Sequence, residues 1–131
     1  MAIEKQVARF GPFKEYIADG VKVGNLLTLS GQVSVDDEAN VVGAGDISLQ
    51  VRHTYTHVQS VLAKFDATMD NIVDEMWLVT DMEVVMDNID ALFQIRAQAY
   101  GSTPEVSQTL IQVAGLVMPE LMIEIKCIAH L

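Results

Sequence analysis

A chain of 131 residues, half of them hydrophobic, with a net charge of −10 fits one globular domain, residues 1–131, and excludes a disordered chain. The negative charge repels phosphate backbones and argues against nucleic acid as a partner, and no apolar run approaches the roughly 20 residues of a membrane span. The single cysteine, Cys127, has no internal disulfide partner, and Met1 to Arg9 carries no signal-peptide core, so a cytoplasmic setting is expected.

In chain order, Val21-Lys22-Val23 and Leu26 to Leu29 flank Gly24-Asn25, a hairpin signal. Ser30-Gly31-Gln32-Val33 is expected to continue the second strand. Asp36-Asp37-Glu38 reads as a solvated turn, because the spacing of a calcium loop is absent. Asp46 is a candidate helix cap. Beyond it Ile47, Val51, Val58, Leu62 and Phe65 share one face at helical spacing, with Tyr55 and Val61 beside them, so a helix is expected to about Phe65. Ile72 to Thr80 reads as a largely buried strand. A second helix is expected over Val84 to Tyr100, with Val85, Ile89 and Leu92 inward, ended by Gly101 and Pro104. Thr109 to Val117 and Leu121 to Leu131 are the last two strands.

The final strand is the most informative. Ile123, Ile125, Cys127 and Ala129 alternate with Glu124 and Lys126, which gives one buried face and one charged face. The whole reads as α+β in the order ββαβαββ, a mixed sheet with two helices on one face.

Several of these segments together resemble the RidA/YjgF family of small trimeric proteins. Gly11-Pro12-Phe13 is similar to the family's Gly-Pro-Tyr. Val23-Gly24-Asn25 with Ser30-Gly31-Gln32 is similar to its first hairpin, Thr80-Asp81-Met82 to the end of its central strand, and Ile123-Glu124-Ile125 with Ile128-Ala129 to its last strand. The resemblance spans about residues 11–131. It implies a chorismate-mutase-like fold, a homotrimer with ligand clefts between subunits, and hydrolysis of reactive enamines and imines such as 2-aminoacrylate without metal or cofactor. The chain departs from that pattern. Gln108 falls where the family's deaminases carry a carboxylate-binding arginine. Lys126 falls on a last-strand glutamate and Phe93 on an asparagine of the second helix. Phe13 or Tyr16 takes the place of the N-terminal tyrosine.

The resemblance therefore implies substrate contacts from Gln108, Lys126, Tyr16, Ser30, Gly31 and Phe93, with no catalytic residue assigned. Gln108 and Lys126 are expected on neighbouring strands, both facing the cleft. A lysine binds a carboxylate as a point charge without the arginine fork, and it also serves some enzymes as base or Schiff-base nucleophile. Against this stands the plainer reading that Lys126 pairs with Glu124 or another surface carboxylate. His53 and His57 have the four-residue spacing of a zinc pair, yet no third ligand is evident, and ordinary surface histidines are expected. Ser30 lacks the nucleophile-elbow glycines of a hydrolase. Trp77 and the methionines read as packing, and Cys127 as a buried thiol. The ligand expected is a small organic carboxylate. Either a divergent enamine or imine deaminase, or a related hydrolase, uses it, or a non-catalytic binding or regulatory protein of the same fold holds it. Nucleic-acid cleavage, claimed for some family members, is disfavoured by the charge and by the missing catalytic set.

Overall fold

The computed structural model describes residues 2–131. Seven strands form one sheet: β1 (Gln6–Ala8), β2 (Gly20–Val23), β3 (Leu26–Leu29), β4 (Gln32–Val33), β5 (Ile72–Val79), β6 (Ser107–Gln112) and β7 (Ile123–His130). Their order across the sheet is β1-β2-β3-β7-β5-β6, with β4 also paired to β7. All pairs are antiparallel except β5 with β6, which run parallel. A parallel pair needs a crossover, and two helices supply it: α2 (Met82–Asp87) and α3 (Ile89–Tyr100). The longer helix α1 (Ile47–Ala63) links β4 to β5.

Local chemistry sets these boundaries. Asp46 accepts a hydrogen bond from the Leu49 amide, and Asp81 one from that of Val84, so each caps a helix start. The expected second helix is broken at Asn88, whose side-chain amide donates back to the Val84 carbonyl at 2.8 Å. An asparagine that bonds its own backbone competes with the helical ladder. Gly101, at φ +79°, ends α3 in the left-handed conformation.

Leu27 and Leu29, Trp77 and Val79, and Ile123, Ile125, Cys127 and Ala129 point to the helix side. They pack on Val51, Tyr55, Val58 and Leu62 of α1 and on Leu92 and Ile95 of α3. The alternate residues, among them Met76, Leu78, Met122, Glu124, Lys126 and Ile128, are half-buried and face away from the helices. The α+β architecture, with helices on one face of a mixed sheet, is thus as expected, with three differences. A short edge strand, β1, precedes the hairpin. The second hairpin strand, β3, stops at Leu29, and its pairing with β7 resumes in β4 after a break. Strand β6 ends at Gln112, and residues 113–122 form a loop tied at its ends by backbone bonds of Val113 to Val79 and of Thr80 to Met122.

The sheet order also corrects the expected meeting of Gln108 and Lys126. β5 lies between their strands, and its register pairs Glu75 with Gln108 but Met76 with Lys126. Adjacent strand residues point to opposite faces, so Gln108 lies on the helix side and Lys126 on the open side.

Candidate functional site

A cavity of about 590 Å³ opens between the N-terminal segment, the β3–β4 bend and α1. Phe10, Phe13 and Ile17 form its apolar wall, Ser30, Gly31 and Gln32 its rim, and Thr56, His57 and Ser60 of α1 another side. Glu124 of β7 reaches it from the open face of the sheet.

The β3–β4 bend makes this shape. Ser30 Oγ donates to the Ala18 carbonyl at 2.6 Å, and the Asp19 carboxylate accepts from the amides of Phe10 and Gly11 at 2.8 and 3.0 Å. These bonds tie the N-terminal segment to the bend. Gly31 lets the Glu124 side chain cross directly over the backbone, since a Cβ there would collide with its carboxylate. Burial raises the Glu124 pKa above the usual carboxylate value, and the Lys126 charge opposes this only in part. The cavity therefore holds an acid that keeps its proton to higher pH than a solvated glutamate. Lys126 donates Nζ to the Leu29 carbonyl at 2.5 Å, just before the bend.

His57 Nε2 lies 2.7 Å from the Val35 carbonyl oxygen. A carbonyl only accepts, so that nitrogen carries the proton. His53 stacks beside it with ring centroids 4.6 Å apart. Burial first, then the charge of His57, holds the His53 pKa below its usual value. The pair thus has a hydrogen-bonded member on the cavity wall, where surface histidines were expected.

Of the residues named from the sequence, Ser30, Gly31 and Phe13 come together here. Tyr16 is 84% exposed and outside the cavity lining. Gln108 and Phe93 lie elsewhere, beside a second polar centre that the sequence reading missed. Glu75 of β5 is completely buried under α1 and α3. Its Oε2 accepts from the hydroxyls of Tyr55 and Tyr100 at 2.7 and 2.8 Å. Its Oε1 accepts from Arg96 Nε at 2.5 Å and Gln108 Nε2 at 3.1 Å. Trp77 Nε1 donates to the Tyr55 hydroxyl at 3.1 Å, and the Phe93 ring meets Trp77 edge-on, with centroids 5.5 Å apart. Burial, then the Glu75 charge, pushes both tyrosines well above the usual phenol range. Burial likewise raises the Cys127 thiol. All three stay protonated and unreactive. A signal for this centre did exist: Glu75 shares the inward parity of Trp77 and Val79, and Arg96 and Tyr100 are four apart on one helix face.

A family model described as endoribonuclease L-PSP matches residues 6–131. A RutC family protein of Pyrococcus abyssi is 21% identical over 127 residues, 97% of this chain and 92% of its own. Among solved structures, YyfA of the Rid protein family from Yersinia pestis matches with a TM-score of 0.84 at 23% identity, over 98% of this chain and 100% of that one. A YjgF-family member from Mycobacterium tuberculosis matches at 0.79 and 22%, over 98% and 100%. E. coli TdcF, solved with bound serine, matches at 0.76 and 22%, over 100% and 98%. At such identities the structures establish a shared fold.

Proposed function

The chain belongs to the RidA/YjgF family, and from that premise we propose that it binds a small organic molecule in the cavity at Ser30, Gly31 and Glu124 and hydrolyses an imine or enamine there. The observation that carries this reading is Glu124: a carboxyl group with a raised pKa, half-buried in a cavity. Hydrolysis of an enamine needs a proton on carbon and a water at the resulting imine. An acid kept protonated by burial suits the first step. TdcF, of the same fold, holds serine, which supports a small organic ligand for this fold.

Size decides between substrates. A cavity near 590 Å³ is within the usual range for ligands of drug size and is far larger than 2-aminoacrylate needs. Phe10, Phe13 and Ile17 add an apolar wall that a three-carbon acid would leave uncovered. The substrate class is thus an imine or enamine with an apolar body. Pyruvate release from 2-aminoacrylate generated in situ is expected near background.

The assembly proposed is a homotrimer. Val23, Leu26 and Ile111 on the open side of the sheet are 36%, 47% and 45% exposed. Obligate interfaces that would cover such a face commonly exceed about 2,000 Å². Light scattering at micromolar concentration should return three times the mass of the chain, and a stable monomer would refute this.

Glu124→Gln tests the chemistry. It should abolish turnover of aryl- or alkyl-substituted imines while leaving ligand binding and assembly in place. Turnover equal to wild type would remove Glu124 from the reaction. If no imine is turned over but small molecules still stabilise the fold, and Gly31→Ala cancels that stabilisation, the protein is a non-catalytic binder using the same cavity.

A further inference from the structure

One charged hydrogen-bond donor inside the protein has no acceptor. Arg96 Nη2 is buried and unpartnered among the described residues. The cause is crowding at Glu75. A guanidinium facing a carboxylate commonly makes two parallel bonds, one to each oxygen. Here Oε2 is taken by the two tyrosine hydroxyls, and Oε1 by Arg96 Nε and Gln108 together. Four donors fill the two oxygens, and Nη2 is left over. Native structures seldom leave such a group unsatisfied, because its lost hydration is then not replaced, and the cost is greater when the group is charged.

The surroundings say what would satisfy it. Arg96 lies on α3 beside β6, the outermost strand of the sheet. Its side chain is 12% exposed. The Tyr100 and Phe93 rings lie 5.5 and 5.8 Å from its central carbon. Tyr100 is buried, whereas Phe93 is 39% exposed, so Phe93 is the side with room to move. The free edge of a guanidinium fits a planar acceptor with two oxygens. Glu75 already neutralises Arg96, and the chain carries −10 overall. A monoanion is therefore accommodated better than a dianion such as phosphate.

We propose that Arg96 is a carboxylate-binding residue: its free guanidinium edge receives a small monocarboxylate at the α3–β6 edge when the Phe93 ring swings aside. Gln108 is a positioning residue, holding Glu75 Oε1 and with it the guanidinium. Neither Arg96 nor Phe93 lines the 590 Å³ cavity, so within one chain the two sites are separate. The proposal rests on the small-molecule reading above only in naming where an acid group is held.

The test uses the full chain and sodium acetate, titrated against sodium chloride at equal ionic strength. It is followed by NMR of the backbone amides and of the arginine Nε–H groups. Saturable shifts are expected in α3, in β6 and at Arg96 Nε–H. Arg96→Lys keeps a cation beside Glu75 but has no Nη2, and should weaken acetate at least tenfold. Lys126→Ala should leave the titration unchanged. Phe93→Ala leaves the ion pair alone and removes the cover, so it should tighten acetate several-fold, and this variant decides the matter if Arg96→Lys does not fold. Inorganic phosphate should compete poorly. Equal acetate affinity in wild type and Arg96→Lys, shifts confined to the neighbours of Lys126, unchanged or weaker affinity in Phe93→Ala, or phosphate competing as well as acetate would each overturn the proposal. So would the lack of any saturable shift in wild type. If acetate fails here while ligands still occupy the Gly31 cavity, only this proposal is lost; loss of cavity binding with acetate retained sinks the other.

Discussion

Two glutamates on neighbouring strands, Glu75 and Glu124, have opposite fates. Glu75 faces the helices, is completely buried, and receives four hydrogen bonds from Tyr55, Tyr100, Arg96 and Gln108. Glu124 faces the other side of the sheet, half-buried, with Lys126 as the opposing charge that acts on it. Residue type is the same; strand parity and neighbours differ. A carboxylate with that many donors is fixed in place and tied to the fold's stability. A carboxyl group desolvated without such donors is free to change protonation, which chemistry requires. The sheet thus separates an acid fixed by four donors from one desolvated without them.

The largest effect should come from breaking the Glu75 side. Arg96→Met leaves a buried carboxylate without its cation, which typically costs about 3–5 kcal/mol and should be read from urea unfolding. Replacing both partners, Glu75→Leu with Arg96→Met, should recover only part of this, because two hydroxyls and the Gln108 amide would still need acceptors. On the open face, Lys126→Met should shift stability by no more than about 1 kcal/mol. An Arg96→Met protein as stable as wild type would erase the contrast.

The two tyrosines sharpen it. Tyr55 donates to Glu75 and accepts from the Trp77 indole, whereas Tyr100 only donates. Tyr55→Phe should cost roughly 1–3 kcal/mol, since it strips a donor from the carboxylate and an acceptor from a buried N–H. Tyr100→Phe should cost less. Trp77 is the only tryptophan, so its fluorescence reports directly. Tyr55→Phe should alter the emission of the folded protein, and Tyr100→Phe should leave it nearly unchanged.

How far these features were legible follows from the distance over which each is determined. The strand at Ile123–His130 and the first helix are written in local periodicity, and both are where the alternation and the 3.6-residue spacing place them. The bend at Ser30-Gly31 is not legible locally, because the Glu124 side chain that crosses Gly31 comes from 93 positions on. The Glu75 centre gathers partners 20 to 33 positions away along the chain. No local pattern names these partners, although the parity of Glu75 and the Arg96–Tyr100 spacing could have raised the question. The expected Gln108–Lys126 meeting does not occur because β5 lies between their strands and pairs them with successive residues, Glu75 and Met76, whose side chains point to opposite faces.

The smallest effect is the pH dependence that Glu124 contributes. Burial raises the folded-state pKa of Glu124 above its usual value of 4.5, with Lys126 opposing. Between the unfolded and the folded pKa the native protein therefore binds more protons than the unfolded chain. Stability falls with rising pH wherever that holds. The contribution of Glu124 is thus complete below about pH 4.5, the ordinary value for this group, and is lost as pH rises through the raised folded value. Glu124→Gln cannot titrate and lacks this slope. Unfolding free energies measured in urea from pH 4 to 7 for wild type and Glu124→Gln should therefore diverge. The wild type should lose stability relative to the variant as pH rises, and the difference should level off once Glu124 is ionised in both states. A difference that is flat, or that grows in favour of the wild type at higher pH, would mean that burial does not hold the Glu124 proton, and that the open face holds no poised acid.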